Sequence, residues 1–268
     1  MLNFNEKTSV LYHDQFDYPL NFSDLIKWQL AKPLIINRNL EVINKRGFYF
    51  LEGREGLIYK RLLRKRISAK KMKIAQRASK VLSFLPGIRM VAVTGSLAMQ
   101  NSSEESDIDL MIVTSRGMLW TTRLFAYLLL FVFRFSLRRP KDKNQKDKLC
   151  LNIWLDGSDL TWSKKDRNLY TAHEIVQIAP LVNKDKTYEM FLWQNKWTLS
   201  YWPSAVRIQN KKYEAQRSGS LSTILEPVAF WLQQKYMKPK MTREIVTKTR
   251  AIFHPQDWGK VILGRLSP

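Results

Sequence analysis

Asp107 and Asp109 stand two residues apart at the head of an apolar run, with Ile108, Leu110, Met111, Ile112 and Val113 around them. Side chains alternate across a strand, so both carboxylates leave one face while Ile108, Leu110 and Ile112 enter the core from the other. Carboxylates held ~6 Å apart repel by roughly 3 kcal/mol at an effective dielectric of about 20, or about two pKa units. A divalent cation offsets that cost. Hard oxygen ligands of this kind suit Mg2+, which keeps its waters and gains the phosphates of a bound nucleotide. Upstream, an apolar run through Val91, Ala92 and Val93 ends in Thr94, Gly95 and Ser96. Gly95 permits a tight turn and close backbone approach, and Ser96 with the following amides, at the start of a short helix, can donate to phosphate oxygens.

Two short buried strands, 89–95 and 107–114, must carry this equipment, and residues 149–156 read as a third. On that third strand alternation places Cys150, Asn152, Trp154 and Asp156 on one face, which makes Asp156 the acid available there. Asn152 offers a carbonyl oxygen to a metal but cannot take a proton. Between the second and third strands, Leu119 to Leu137 reads as a buried helix, followed by a basic loop from Arg138 to Lys148. Residues 166–182 read as a helix, on which His173 and Glu174 are adjacent and point about 100° apart, so they are hydrogen-bonded core groups rather than a ready-made metal pair.

The first 57 residues suggest two short helices, the second capped by Asn21 or Ser23, and then a hairpin turning at Asn44, Lys45, Arg46 and Gly47. From Glu55 to Phe84 apolar residues recur at helical spacing among many Lys and Arg, as one long amphipathic helix or two broken near Ser68. Aromatic-rich helices then occupy 187–201 and 221–237, a basic connection spans 203–219, and helix resumes from Thr242 to Ile252.

The chain carries 45 Lys plus Arg against 23 Asp plus Glu, a formal net charge of +22. The excess runs along the whole length, a surface that attracts polyanions: nucleic acid, nucleotides or anionic lipid. Cys150 is the single cysteine, which excludes an intramolecular disulfide and fits a reducing cytoplasm. The first residues lack the apolar core of a signal peptide. The most apolar stretch, 124–133, is too short to cross a bilayer, which needs ~20 residues, though contact with a membrane surface is compatible with its basic and aromatic flanks.

Gly95 and Ser96 after an apolar strand, ten residues, then the Asp-Ile-Asp-Leu run 107–110 resemble the signature of the DNA polymerase β-like nucleotidyltransferase superfamily. The helices and basic hairpin of residues 1–57 resemble a winged helix. With Asp166-Arg-Asn-Leu-Tyr170 and the Phe-His-Pro at 253–255, the whole pattern is similar to a group of prokaryotic nucleotidyltransferase-domain proteins. The resemblance implies an α+β fold: a small mixed β-sheet nucleotidyltransferase core packed with helices, preceded by a winged-helix-like module and followed by a helical C-terminal region. The implied boundaries are 1–57 for the module, 58–88 for a connecting helix, 89–182 for the core and 183–268 for the helical region. It implies Asp107 and Asp109 as metal ligands for Mg2+, Gly95 and Ser96 on the triphosphate, and a third catalytic carboxylate on the third strand, for which Asp156 is the candidate. The implied reaction moves an NMP group from a nucleoside triphosphate to an acceptor hydroxyl, with RNA favoured by the charge. The alternative is a nucleic-acid-binding protein whose transferase core has lost its activity.

Overall fold

The computed structural model describes residues 2–34, 40–139, 142–209, 222–238, 244–253 and 257–266. It is a mixed α+β structure. Helix α1 (Phe4–Asp14) begins with a capping box in which Asn3 and Glu6 exchange side-chain and backbone hydrogen bonds, and α2 (Phe22–Lys27) repeats the device with Asn21 and Asp24. Strands β2 (Val42–Lys45) and β3 (Phe48–Leu51) form the hairpin, joined through Arg46 and Gly47. Both turn residues have positive φ, 53° and 78°, the two-residue turn whose twist matches that of the strands. The two-residue β1 (Leu20–Asn21) pairs with the other edge of β3.

Helix α3 (Gly56–Leu82) is one unbroken rod of 27 residues, about 40 Å long. Ser68 does not interrupt it; its hydroxyl accepts from the Ser102 amide. The fully buried Lys71, one turn further on, donates to the carbonyls of Glu104 and Ser106 and to Asp147. A buried ammonium is tolerable only when its donors are met, and these three partners fasten the loop that leads to Asp107.

The main sheet has the order β7-β4-β5-β6-β9-β8. Its centre consists of β4 (Ile88–Val93), β5 (Ile108–Thr114) and β6 (Leu149–Asp156), with β4 antiparallel and β6 parallel to β5. Strand β7 (Ala179–Asn183) closes one edge, and β8 (Ile245–Val246) and β9 (Arg250–Ile252) extend the other. One face packs on α3, α5 (Leu119–Val132) and α8 (Ser222–Met237) through Ala78, Leu82, Val91, Leu110, Trp120, Leu130 and Ala229. The other meets α6 (Leu169–Val176) and α7 (Thr187–Gln194) through Met90, Met111, Leu155, Ile175 and Phe191.

Several expectations change. The helix expected over 166–182 ends at Val176, because residues 179–183 are taken into the sheet by pairing with β4, and α5 ends at Val132 instead of Leu137. Residues 245–246 and 250–252 form strands and not helix, because β9 pairs with β6 and β8 with β9; residues 242 and 243 lie outside the described residues, as do 210–219 of the basic connection and 254 and 255 of the Phe-His-Pro stretch. Helix α5 is buried on one side only, since Leu124, Phe125, Leu128 and Phe131 face solvent. The N-terminal residues share their core with the rest of the chain: Leu11, Tyr12 and Trp28 form one cluster with Leu169, Ala172, Trp202 and, from α9 (Trp258–Leu266), Ile262.

Candidate functional site

The site lies where β4 ends and β5 begins. After Val93 the chain turns through Thr94, whose amide donates to the Asp109 carbonyl, into α4 (Gly95–Ala98). Gly95 adopts φ +57°, and a Cβ added there would lie 3.0 Å from Asp109 Oδ2. Two separate facts therefore require glycine: a left-handed backbone and a carboxylate where a side chain would go. Ser96 is exposed, its hydroxyl 3.3 Å from that of Ser102 and its carbonyl accepting from the Asn101 amide. The structure thus places Gly95 against Asp109 of β5, with Ser96 next in the turn.

Asp107 and Asp109 do come together, and Cys150 joins them, with one ligand atom from each residue within 4.8 Å of the others. Cys150 arrives because it stands opposite Asp109 in the parallel β5–β6 ladder. These three residues can hold a metal ion. Arg138 Nη1 donates to Asp107 Oδ2 at 2.6 Å and lies 3.6 Å from the Cys150 sulfur. Asn152 Nδ2 donates to Asp109 Oδ1 at 2.8 Å, while the buried Asn152 Oδ1 has no hydrogen-bond partner.

The electrostatics follow from burial. Desolvation, reinforced by the neighbouring Asp107 charge and opposed by Arg138, pushes the Asp109 carboxyl up to about 7. The Cys150 thiol is pushed up by burial and by the same two carboxylates, so it stays a neutral thiol at physiological pH. A more distant contributor to Asp109 is Glu174 on α6. Burial raises the Glu174 carboxyl to about 7, partly offset by Gln177 Nε2 donating to it at 2.6 Å.

Asp156 is not brought to this cluster. It stands opposite Thr114, five residues along β5 from Asp109, or roughly 16 Å at the rise of a strand. There its carboxylate accepts from the Gly117 amide at 2.6 Å, the Ser158 amide at 2.9 Å and the Ser158 hydroxyl. The shared face expected for Cys150, Asn152, Trp154 and Asp156 is also interrupted. Between the pairs Asp109–Cys150 and Met111–Ile153, β6 spends one residue more than β5, a bulge that resets alternation. Trp154 accordingly packs with Leu149 and Leu151, on the face opposite Ile153 and Leu155. Asn152 keeps its place beside Asp109.

Sequence reasoning read Arg138 as one cation in a basic loop, whereas the structure places it on Asp107; Glu174 is hydrogen-bonded by Gln177, as expected of a core polar group. The signal for Arg138 was its position, eleven residues before the third strand, which carries no pattern by itself. His173 is core: its ring packs 4.4 Å from Trp28 and 5.2 Å from His13, with Tyr12 and Trp202 around it. No family model, curated protein or solved structure matches the chain.

Proposed function

We propose that the chain is a Mg2+-dependent nucleotidyltransferase that moves an NMP group from a nucleoside triphosphate to an acceptor hydroxyl and releases pyrophosphate. The observation that carries the reading is Gly95, folded left-handed against the Asp109 carboxylate beside the exposed Ser96. Such a turn lets phosphate approach backbone and paired carboxylates at once. The two carboxylates are hard oxygen donors that fit Mg2+, and the buried Asn152 beside Asp109 keeps an unpartnered carbonyl oxygen, whereas the protonated Cys150 thiol is a poor partner for the ion. Asp107, Asp109 and Asn152 would hold the ion, which supplies charge neutralisation at the transferred and leaving phosphates.

The protein's own groups do the positioning. Arg138 offsets the charge of Asp107 and, being partly exposed, presents its remaining donors to phosphate oxygens. Ser96 donates to the triphosphate. Asn152 cannot accept a proton and Asp156 is distant, so in this reading the acceptor's proton passes to a group outside β6 or to solvent. The charge of +22 favours RNA as acceptor, guided along the basic face of α3. In this reading the three-stranded N-terminal unit is a winged-helix-like module and residues 89–182 are the transferase core.

One observation favours a second reading, a nucleic-acid-binding protein with a decayed core. Arg138 and Asn152 donate to Asp107 and Asp109, so protein donors engage the oxygens that a metal would use. Incubation with each α-labelled nucleoside triphosphate, Mg2+ and total cellular RNA separates the two. Label transferred by the wild type and not by an Asp107→Asn, Asp109→Asn double variant supports the enzyme. Salt-sensitive RNA binding with no label transferred supports the decayed core.

A further inference from the structure

Helices α5 and α8 lie side by side on the same face of the main sheet and bury Trp120, Ala126, Leu130, Ala229 and Met237 against it. Their outer faces are apolar as well. Leu124, Leu128 and Phe131 recur at helical spacing on α5, and Val228, Trp231 and Leu232 on α8, each about half or more exposed and Phe131 74% exposed. Because both helices cover one side of one sheet, these two stripes look outward in the same direction. Exposed apolar stripes on two adjoining helices mark an interaction site.

We propose that this face docks on an anionic lipid bilayer. Charge selects the occupant. Residues 116–139 contain no acid, and the single acid in 222–238, Glu226, is turned inward, accepting from the amides of Trp120 and Thr121 and from the Thr121 hydroxyl. Among the described residues the exposed charges that follow α5 are Arg134, Arg138 and Arg139, and those at the end of α8 are Lys235 and Lys238, all positive. Apolar stripes on segments whose exposed charges, among the described residues, are cations are complementary to acyl chains beneath anionic headgroups. A second copy of the chain would bring the same cations against each other, in a molecule of net charge +22. The contact lies in the membrane plane: α5 has 14 residues, about 21 Å, and no helix among the described residues is long and apolar enough to cross a bilayer. This inference does not depend on the transferase reading.

The test uses the full chain with sedimenting vesicles of phosphatidylcholine alone or mixed with phosphatidylglycerol. The protein is expected to sediment with the mixed vesicles and not with the neutral ones. Phe131→Glu and Trp231→Glu, both on the solvent side of the fold, are each expected to weaken binding roughly tenfold or more, the equivalent of losing one side chain's apolar burial. Circular dichroism establishes that each variant is folded. A second measurement needs no charge insertion: lipids brominated in the acyl chain are expected to quench the tryptophan fluorescence of the wild type, and to do so less in Trp231→Ala. Wild type that stays in the supernatant overturns the proposal, as does equal binding by wild type and both variants. A stable dimer that dissolves with the same substitutions overturns it in favour of a contact between copies.

Discussion

Two buried carboxylates stand at opposite ends of the β5–β6 ladder and are treated in opposite ways. Asp156 accepts three hydrogen bonds from the turns around it. Asp109 takes side-chain hydrogen bonds only from the Asn152 amide and the partly buried, weakly donating Cys150 thiol, and faces a second carboxylate. Saturating a buried anion with donors makes it a structural cap, because its desolvation is repaid locally. Leaving it short of donors raises its proton affinity and leaves oxygen lone pairs for a ligand. One sheet thus holds a carboxylate committed to the fold and one kept in reserve.

The largest expected effect is at the committed end. Asp156→Ala strands the Gly117 and Ser158 amides and is expected to cost about 3 kcal/mol, read as a lower urea midpoint at unchanged slope. A loss below about 1 kcal/mol would erase the contrast.

Asp109→Asn is expected to move the other way. Its folded pKa of about 7 lies above the ordinary carboxylate range, so the native chain holds a proton that the unfolded chain has released. This contribution to stability is therefore present at low pH and lost as pH rises from about 4 to about 7. Asparagine carries no such penalty. Without metal, Asp109→Asn should match the wild type near pH ~4 and exceed it by on the order of 2 kcal/mol near pH ~8. The buried His13, held down to about 4 by desolvation, gives stability the opposite slope, but both proteins share it and the difference between them is unaffected. Equal stabilities at both pH values would overturn the raised proton affinity of Asp109.

Gly95→Ala tests the crowding at the reserved end and is expected to cost about 1–2 kcal/mol from its left-handed backbone and the contact with Asp109. In an Asp109→Ala background the contact is gone, so a double-mutant cycle should show a smaller cost there. Additive losses would mean that backbone strain alone requires the glycine. The smallest change is Arg138→Gln, which breaks a partly exposed ion pair at a cost below about 1 kcal/mol, diminishing with salt. Its sharper consequence is a larger Mg2+-induced rise in Tm, since a competing cation has been removed; an unchanged rise would mean that Arg138 does not compete for Asp107.

Much of this arrangement was legible in the residues. The Arg46-Gly47 turn, the Asn21 cap and the paired carboxylates on one face follow from local rules that tertiary packing had no reason to override. Ser68 did not break α3 because packing gave its hydroxyl a partner. What was illegible depended on partners remote in the chain. Strands β8 and β9 have two and three residues, too few for any periodicity, and exist because β6 offers them an edge. The half-exposed state of α5 could not be read either, since its stripe is apolar on both sides and only the structure shows which side the sheet takes. Asp156 was assigned by strict alternation, and the bulge in β6 breaks that rule.

That bulge also determines which changes in length the chain can tolerate. Upstream of it Cys150 and Asn152 serve the carboxylates; downstream Ile153, Trp154 and Leu155 serve the two cores. The extra residue acts as a frame adjuster between two surfaces that would otherwise demand incompatible phases. Deleting Leu151 would restore plain pairing with β5 and remove the offset, so that keeping the cores in place would turn the Asn152 position away from Asp109. A point substitution in this segment is a local event. An insertion or deletion of one residue forces a choice between the core and the site, which makes 150–153 a segment whose sequence can drift while its length cannot.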